Sequence, residues 1–131
     1  MYIAFDVGEK RIGVALADPA IKVTWPLKTV DVTENIKQVL QDLVNDSSVS
    51  DIVVGRPLNQ SGQTTRQTEK VEEFVQDNLV DLGLPIHWQE ESLTSVLAEE
   101  RLTKSKKSFQ KHEIDAEAAA IILQDYLETL H

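Results

Sequence analysis

Three places in this chain carry acidic side chains where ordinary surface solvation does not account for them. Asp6 ends the first apolar run, Tyr2-Ile3-Ala4-Phe5-Asp6-Val7-Gly8. A second run, Arg11 to Asp18, follows after Gly8, Glu9 and Lys10, so the two read as a β-hairpin with Asp6 near the tip of a strand. A charge there must be solvated, paired or bound to a cation, although for Asp6 taken alone a turn-forming aspartate is the more ordinary account. Glu90 and Glu91 come next, just past the short apolar run Pro85–Gln89. In α/β sheets ligands gather beyond the carboxyl ends of strands, while an acid pair before a helix also suits the helix dipole. The third is Asp115. At about 100° per residue, Ile114, Ala118, Ala119, Ile122 and Tyr126 define one apolar arc of the last helix, and Asp115 falls inside it. Glu113, Glu117, Gln124 and Glu128 fall on the opposite, solvated side.

Carboxylates gathered at one sheet edge repel one another and take up protons unless a cation compensates them. Oxygen ligands without cysteine select hard ions, Mg²⁺ or Mn²⁺. Such a site suits phosphodiester hydrolysis, in which two ions about 4 Å apart activate a water and stabilise the leaving oxygen. A basic run from Arg101 to Lys111 (Arg101, Lys104, Lys106, Lys107, Lys111) contains no acid and would supply phosphate contacts.

The elements that must position these groups follow from pattern. Val23–Val30 forms a third strand, with Pro26 marking an edge. Thr33 caps a helix to Val44 with Ile36, Val39, Leu40, Leu43 and Val44 at helical spacing. Asp51–Gly55 is a buried strand followed by the turn-rich loop Arg56–Gly62. A helix spans Thr65 to Leu82 with Val71, Phe74, Val75 and Leu79 as its stripe, and Gly83 ends it. Pro85–Gln89 is a strand, Thr94 caps a helix to Leu102, and a last helix runs from Glu113 to Leu130. Short connections make the first three strands antiparallel, and later strand–helix alternation makes the rest parallel. The fold class is α/β, a mixed five-stranded sheet flanked by helices, in one domain over residues 1–131.

Composition bounds the partners. Formal net charge is −9, which argues against coating nucleic acid by charge alone and leaves room for a locally basic, metal-using enzyme. There is no cysteine, which removes thiol catalysis and thiolate metal sites and fits a cytoplasmic protein. No apolar run approaches the roughly 20 residues of a membrane span, so no membrane partner is expected.

Four blocks carry a family resemblance: Phe5–Ala15, Val53–Asn59, Glu90–Ser95 and Asp115–Gln124. In that order they resemble the YqgF family over essentially the whole chain. These are bacterial RNase H-like proteins, described as Holliday junction resolvases and as nucleases maturing the 5′ end of pre-16S ribosomal RNA. The resemblance implies an RNase H-like fold and places the three catalytic, metal-binding carboxylates on Asp6, Glu91 and Asp115. It implies Mg²⁺ or Mn²⁺, and structured precursor rRNA or branched DNA as partner. Arg66 matches a basic position of the family. Lys10, Arg11 and Arg56 lie within the blocks, and with Arg66 and the five cations of the basic run they are the expected nucleic-acid contacts. The family usually has arginine after the catalytic glutamate; here Ser92 stands there, and Glu90 replaces a common aspartate. A non-catalytic precursor-binding factor is the reading of a different class. A monomer or a homodimer is compatible, the dimer being what symmetric cutting of a junction needs.

Overall fold

Strict alternation along β1 sets the architecture. In this computed structural model, which describes residues 1–91 and 111–130 and the side chains of 111 and 112 excepted, β1 (Tyr2–Val7) pairs antiparallel with β2 (Arg11–Asp18). β3 (Val23–Asp31) pairs antiparallel with β2, and β4 (Asp51–Pro57) and β5 (Ile86–Glu91) join in parallel on the other side. The order is β3-β2-β1-β4-β5, the mixed sheet that spacing predicts, with β3 at the edge that Pro26 signals.

Because side chains alternate, each strand serves two different layers. Ile3, Phe5, Val7, Ile12, Val14, Leu16, Ile52 and Val54 face α1 (Ile36–Asp46) and α2 (Arg66–Asn78) in one core. The other face is lined by small residues, Ala4, Ala15 and Ala17 with Val53, and it takes α3 (Lys111–Glu128) through Ala119, Ala120, Ile122, Leu123 and Leu127. Alanine on both sides lets the helix backbone come close to the sheet. Asp6, Arg11, Gly13 and Gly55 share the odd–even phase of that second face.

Three sequence expectations need correction. The cap of α1 is Asn35 rather than Thr33, and no side chain caps it; the Ile36 N–H donates to the Thr33 carbonyl in a preceding turn instead. The helix expected from Thr65 to Leu82 ends at Asn78 and continues as a 3₁₀ turn, Val80–Leu82, closed by Gly83 at φ 74°. Glu117 is 8% exposed, not on a solvated side. The reason is that α3 crosses β2 and β3, so its first turns look onto the edge strand. Glu113, Ala116 and Glu117 there line a cleft of about 310 Å³ with Pro26, Leu27, Lys28 and Thr29. The helix expected from Thr94 to Leu102 lies outside the described residues.

Candidate active site

Two glycines decide how close the acids come. Gly13 sits opposite Asp6 in the β1–β2 register. A Cβ at Gly13 would overlap the backbone carbonyl of Asp115, so the N-terminal part of α3 rests directly on the strand beside Asp6. Gly55, on β4, lies beneath Glu91: a Cβ there would stand 2.9 Å from the Glu91 Cδ and 2.7 Å from Ile122 Cδ1. Each glycine is a place where the sheet gives up side-chain volume so that a carboxylate-bearing element can approach.

Glu91 is held from its own backbone as well. The Leu58 N–H donates to the Glu91 carbonyl at 3.2 Å, tying the strand end to the loop after β4. That loop is itself braced. Asn59 Oδ1 accepts from the Ser61 and Gln63 N–H groups, each at 2.9 Å, and the buried Thr68 hydroxyl donates to the Pro57 carbonyl. Thr65 and Thr68 complete a reciprocal capping box at the start of α2.

The electrostatics identify the site more sharply than the geometry alone. Burial pushes the Asp6 carboxyl up to about 6, against a hydrogen bond from Glu91 that favours its charge, and the nearby Asp115 charge adds to the rise. Burial, then the Asp6 charge and the hydrogen bond made to Asp6, push Glu91 up to about 8. The two therefore hold a proton between them, with Glu91 donating to Asp6. Asp115 is compensated differently: the Arg11 Nε–H donates to its Oδ2 at 2.7 Å. Asp6, Glu91 and Asp115 thus meet at one end of the sheet, as their sequence positions imply.

As the side chains stand, no three Asp, Glu, His or Cys groups among the described residues converge closely enough to hold an ion. The donor set still fits one. It is all oxygen, burial and mutual charge raise the Asp6 and Glu91 carboxyls, and the Arg11 side chain against Asp115 is only partly shielded.

Of the expected nucleic-acid contacts, Arg11 faces Asp115, while Lys10 is exposed in the β1–β2 turn. Arg56 lies at the end of β4 in register with Glu90, and Arg66 is exposed at the first position of α2. Lys111 is the first residue of α3. Arg101, Lys104, Lys106, Lys107 and Ser92 lie outside the described residues. Sequence reasoning overlooked Gly13 and Gly55. Their signal was available: each is a lone glycine inside an apolar strand run, a mark of close approach.

Comparisons with known proteins bear on the family and the fold. The family model described as RuvX: Holliday junction resolvase matches residues 1–129. A Sulfurihydrogenibium protein named "Putative pre-16S rRNA nuclease" is 36% identical over 98% of this chain and 90% of its own length. A Chloroflexus aurantiacus protein of the same name is 40% identical over 96% of this chain and 85% of its own. Among solved structures, Thermus thermophilus RuvC in complex with a Holliday junction substrate superposes with TM-score 0.59 at 11% identity, covering 98% of this chain and 95% of that one. The fowlpox virus resolvase, also solved with junction DNA, gives 0.54 at 9% identity, covering 99% of this chain and all of that one. These two likenesses establish the fold, which is that of RNase H-like resolvases.

Proposed function

The chain belongs to the RuvX (YqgF) family of Holliday junction resolvases, and from that premise we propose that it is a divalent-metal-dependent endonuclease acting on the 5′ end of precursor 16S rRNA. It is a hydrolase of phosphodiester bonds. The single observation that supports the metal reading is the approach of Asp6, Glu91 and Asp115 at one end of the sheet, with Arg11 held against Asp115. Half-buried acids crowded together and answered by one guanidinium are relieved when a hard cation takes up their charge.

Asp6, Glu91 and Asp115 would hold Mg²⁺ or Mn²⁺, which when bound supplies charge neutralisation and an acidified water. The rest is the work of the chain itself. Asp6 and Glu91, whose carboxyls are raised in the free protein, would give up the proton they share on binding the cation. β1, β5 and the glycine-seated N-terminal part of α3 carry the three carboxylates to one end of the sheet, where side-chain movement alone would bring them onto one ion. Lys10, Arg56, Arg66 and the Arg101–Lys111 run are the contacts that would position substrate phosphates on an otherwise acidic protein.

The substrate assignment rests on the full-length relatives named for pre-16S rRNA. The family description favours a second substrate, four-way junction DNA, which would require two copies acting together. A 5′-extended 16S rRNA fragment and a four-way DNA junction, each incubated with and without Mn²⁺, separate the two. We expect Mn²⁺-dependent cutting of the RNA. Asp115→Asn should reduce it by more than the roughly 10–100-fold cost of losing an outer-shell partner, with an unchanged circular-dichroism spectrum. Cutting of the junction alone would move the substrate to DNA. Undiminished cutting by Asp115→Asn would remove that residue from the site.

A further inference from the structure

The strand residue facing Asp115 is itself informative. Arg11 lies at the start of β2, two residues before Gly13, on the face that receives α3. Its contact with Asp115 is short and partly shielded, the side chains being 30% and 24% exposed, a setting in which a charge-assisted hydrogen bond is stronger than at open surface. The contact occupies one of the five N–H donors that a guanidinium carries. One guanidinium thus answers the third acid of the cluster, and a cation that takes Asp115 as a ligand must displace it.

We propose that Arg11 is an internal counter-ion that competes with the divalent cation for Asp115 and yields it when a substrate phosphodiester engages the guanidinium. The inference rests on the metal-dependent reading of the site and goes beyond it. It makes Arg11 a positioning residue acting through Asp115, and it couples metal loading to substrate. A phosphate offers a guanidinium the planar, bidentate partner it matches best, and Arg11 is exposed enough for one to reach it. Once the guanidinium turns to phosphate, Asp115 is free to ligate. By linkage, substrate then tightens the metal and metal tightens the substrate by the same factor. Such coupling leaves the site poorly loaded until nucleic acid is present, which limits stray hydrolysis.

The test is calorimetric titration of Mn²⁺ into the full chain without nucleic acid, comparing wild type, Arg11→Gln, Arg11→Lys and an Asp6→Asn control. Dimethyl phosphate serves as a soluble phosphodiester probe in a parallel series. Removing the competitor should tighten Mn²⁺ binding about tenfold in Arg11→Gln, within the usual range of coupling between sites. Arg11→Lys keeps the charge and should stay near wild type. Dimethyl phosphate should tighten Mn²⁺ binding in wild type and leave Arg11→Gln unmoved. Unchanged or weaker Mn²⁺ binding in Arg11→Gln overturns the proposal, since a side chain that merely orients Asp115 would weaken binding when lost. A wild type indifferent to dimethyl phosphate overturns the release step. If wild type and Arg11→Gln both fail to bind Mn²⁺, the metal-dependent reading falls too, whereas normal wild-type binding with no gain in Arg11→Gln sinks only this inference.

Discussion

Glu91 keeps its proton in the folded protein up to about pH 8, whereas its ordinary value is 4.5. Between those values the folded state binds more protons than the unfolded chain, so stability is greatest at the acid end and falls as pH rises through 8. Thermal unfolding in EDTA should therefore show a midpoint that drops from pH 5 to pH 8, and Mn²⁺ should restore it. Glu91→Gln replaces the carboxyl with an amide that still donates to Asp6 and never ionises. That variant should lose the part of the drop between about pH 6 and 8, keeping only the part due to Asp6 below that, and at pH 8 without metal it should be more stable than wild type by about 1–3 kcal/mol. A wild-type midpoint independent of pH would mean that Asp6 and Glu91 are not the proton-sharing pair described above. The cost of holding these acids together is set against function, as is common where stability yields to a site.

At the scale of elements, β2 and β4 each contribute a glycine, and the two differ in what they face. Gly13 meets backbone, the Asp115 carbonyl, which cannot move without lifting the N-terminal part of α3. Gly55 meets the ends of two side chains, Glu91 and Ile122. Gly13→Ala should therefore cost about 3 kcal/mol, the upper range for overpacking a core, and should lose activity with it. Gly55→Ala should cost roughly 1 kcal/mol yet still lower the cleavage rate, because one of the two side chains it displaces is the Glu91 carboxylate. Urea unfolding and cleavage assays on both variants check this; equal destabilisation by the two would contradict the contact each glycine is assigned.

The same elements show what the chain disclosed in advance. The strand order, the antiparallel and parallel partition and the edge position of β3 were legible, because alternation and short connections leave few arrangements. Asp115 was legible as an aspartate inside an apolar arc. Glu117 was not, because a helical wheel assumes one dry face, whereas α3 touches β1, β2 and β3 together and buries more of its circumference. The cap of α1 was missed because Thr33 and Asn35 both have capping side chains and a turn separates them, a choice that local chemistry does not make. Arg11 was legible as a cation in a motif; that it answers Asp115, 104 residues away, is a fact of the tertiary fold.

At the scale of the whole molecule, a chain of net charge −9 binds nucleic acid only where its charge is arranged for it. The sheet places the shared proton, the guanidinium and three acids at one end, and among the described residues no helix is long and apolar enough to cross a membrane. The central claim is that these acids work as a cation site for phosphodiester hydrolysis. Asp6 is the member all the others lean on, through the Glu91 hydrogen bond and the Asp115 charge. The most direct measurement is the rate of 5′-end cleavage of precursor 16S rRNA across a Mn²⁺ titration, for wild type and for folded Asp6→Asn. The account predicts no cleavage by wild type without cation, a rate that rises and saturates with Mn²⁺, and no cleavage by Asp6→Asn at any concentration. Cleavage by Asp6→Asn at the wild-type rate, or by wild type in EDTA, would contradict it.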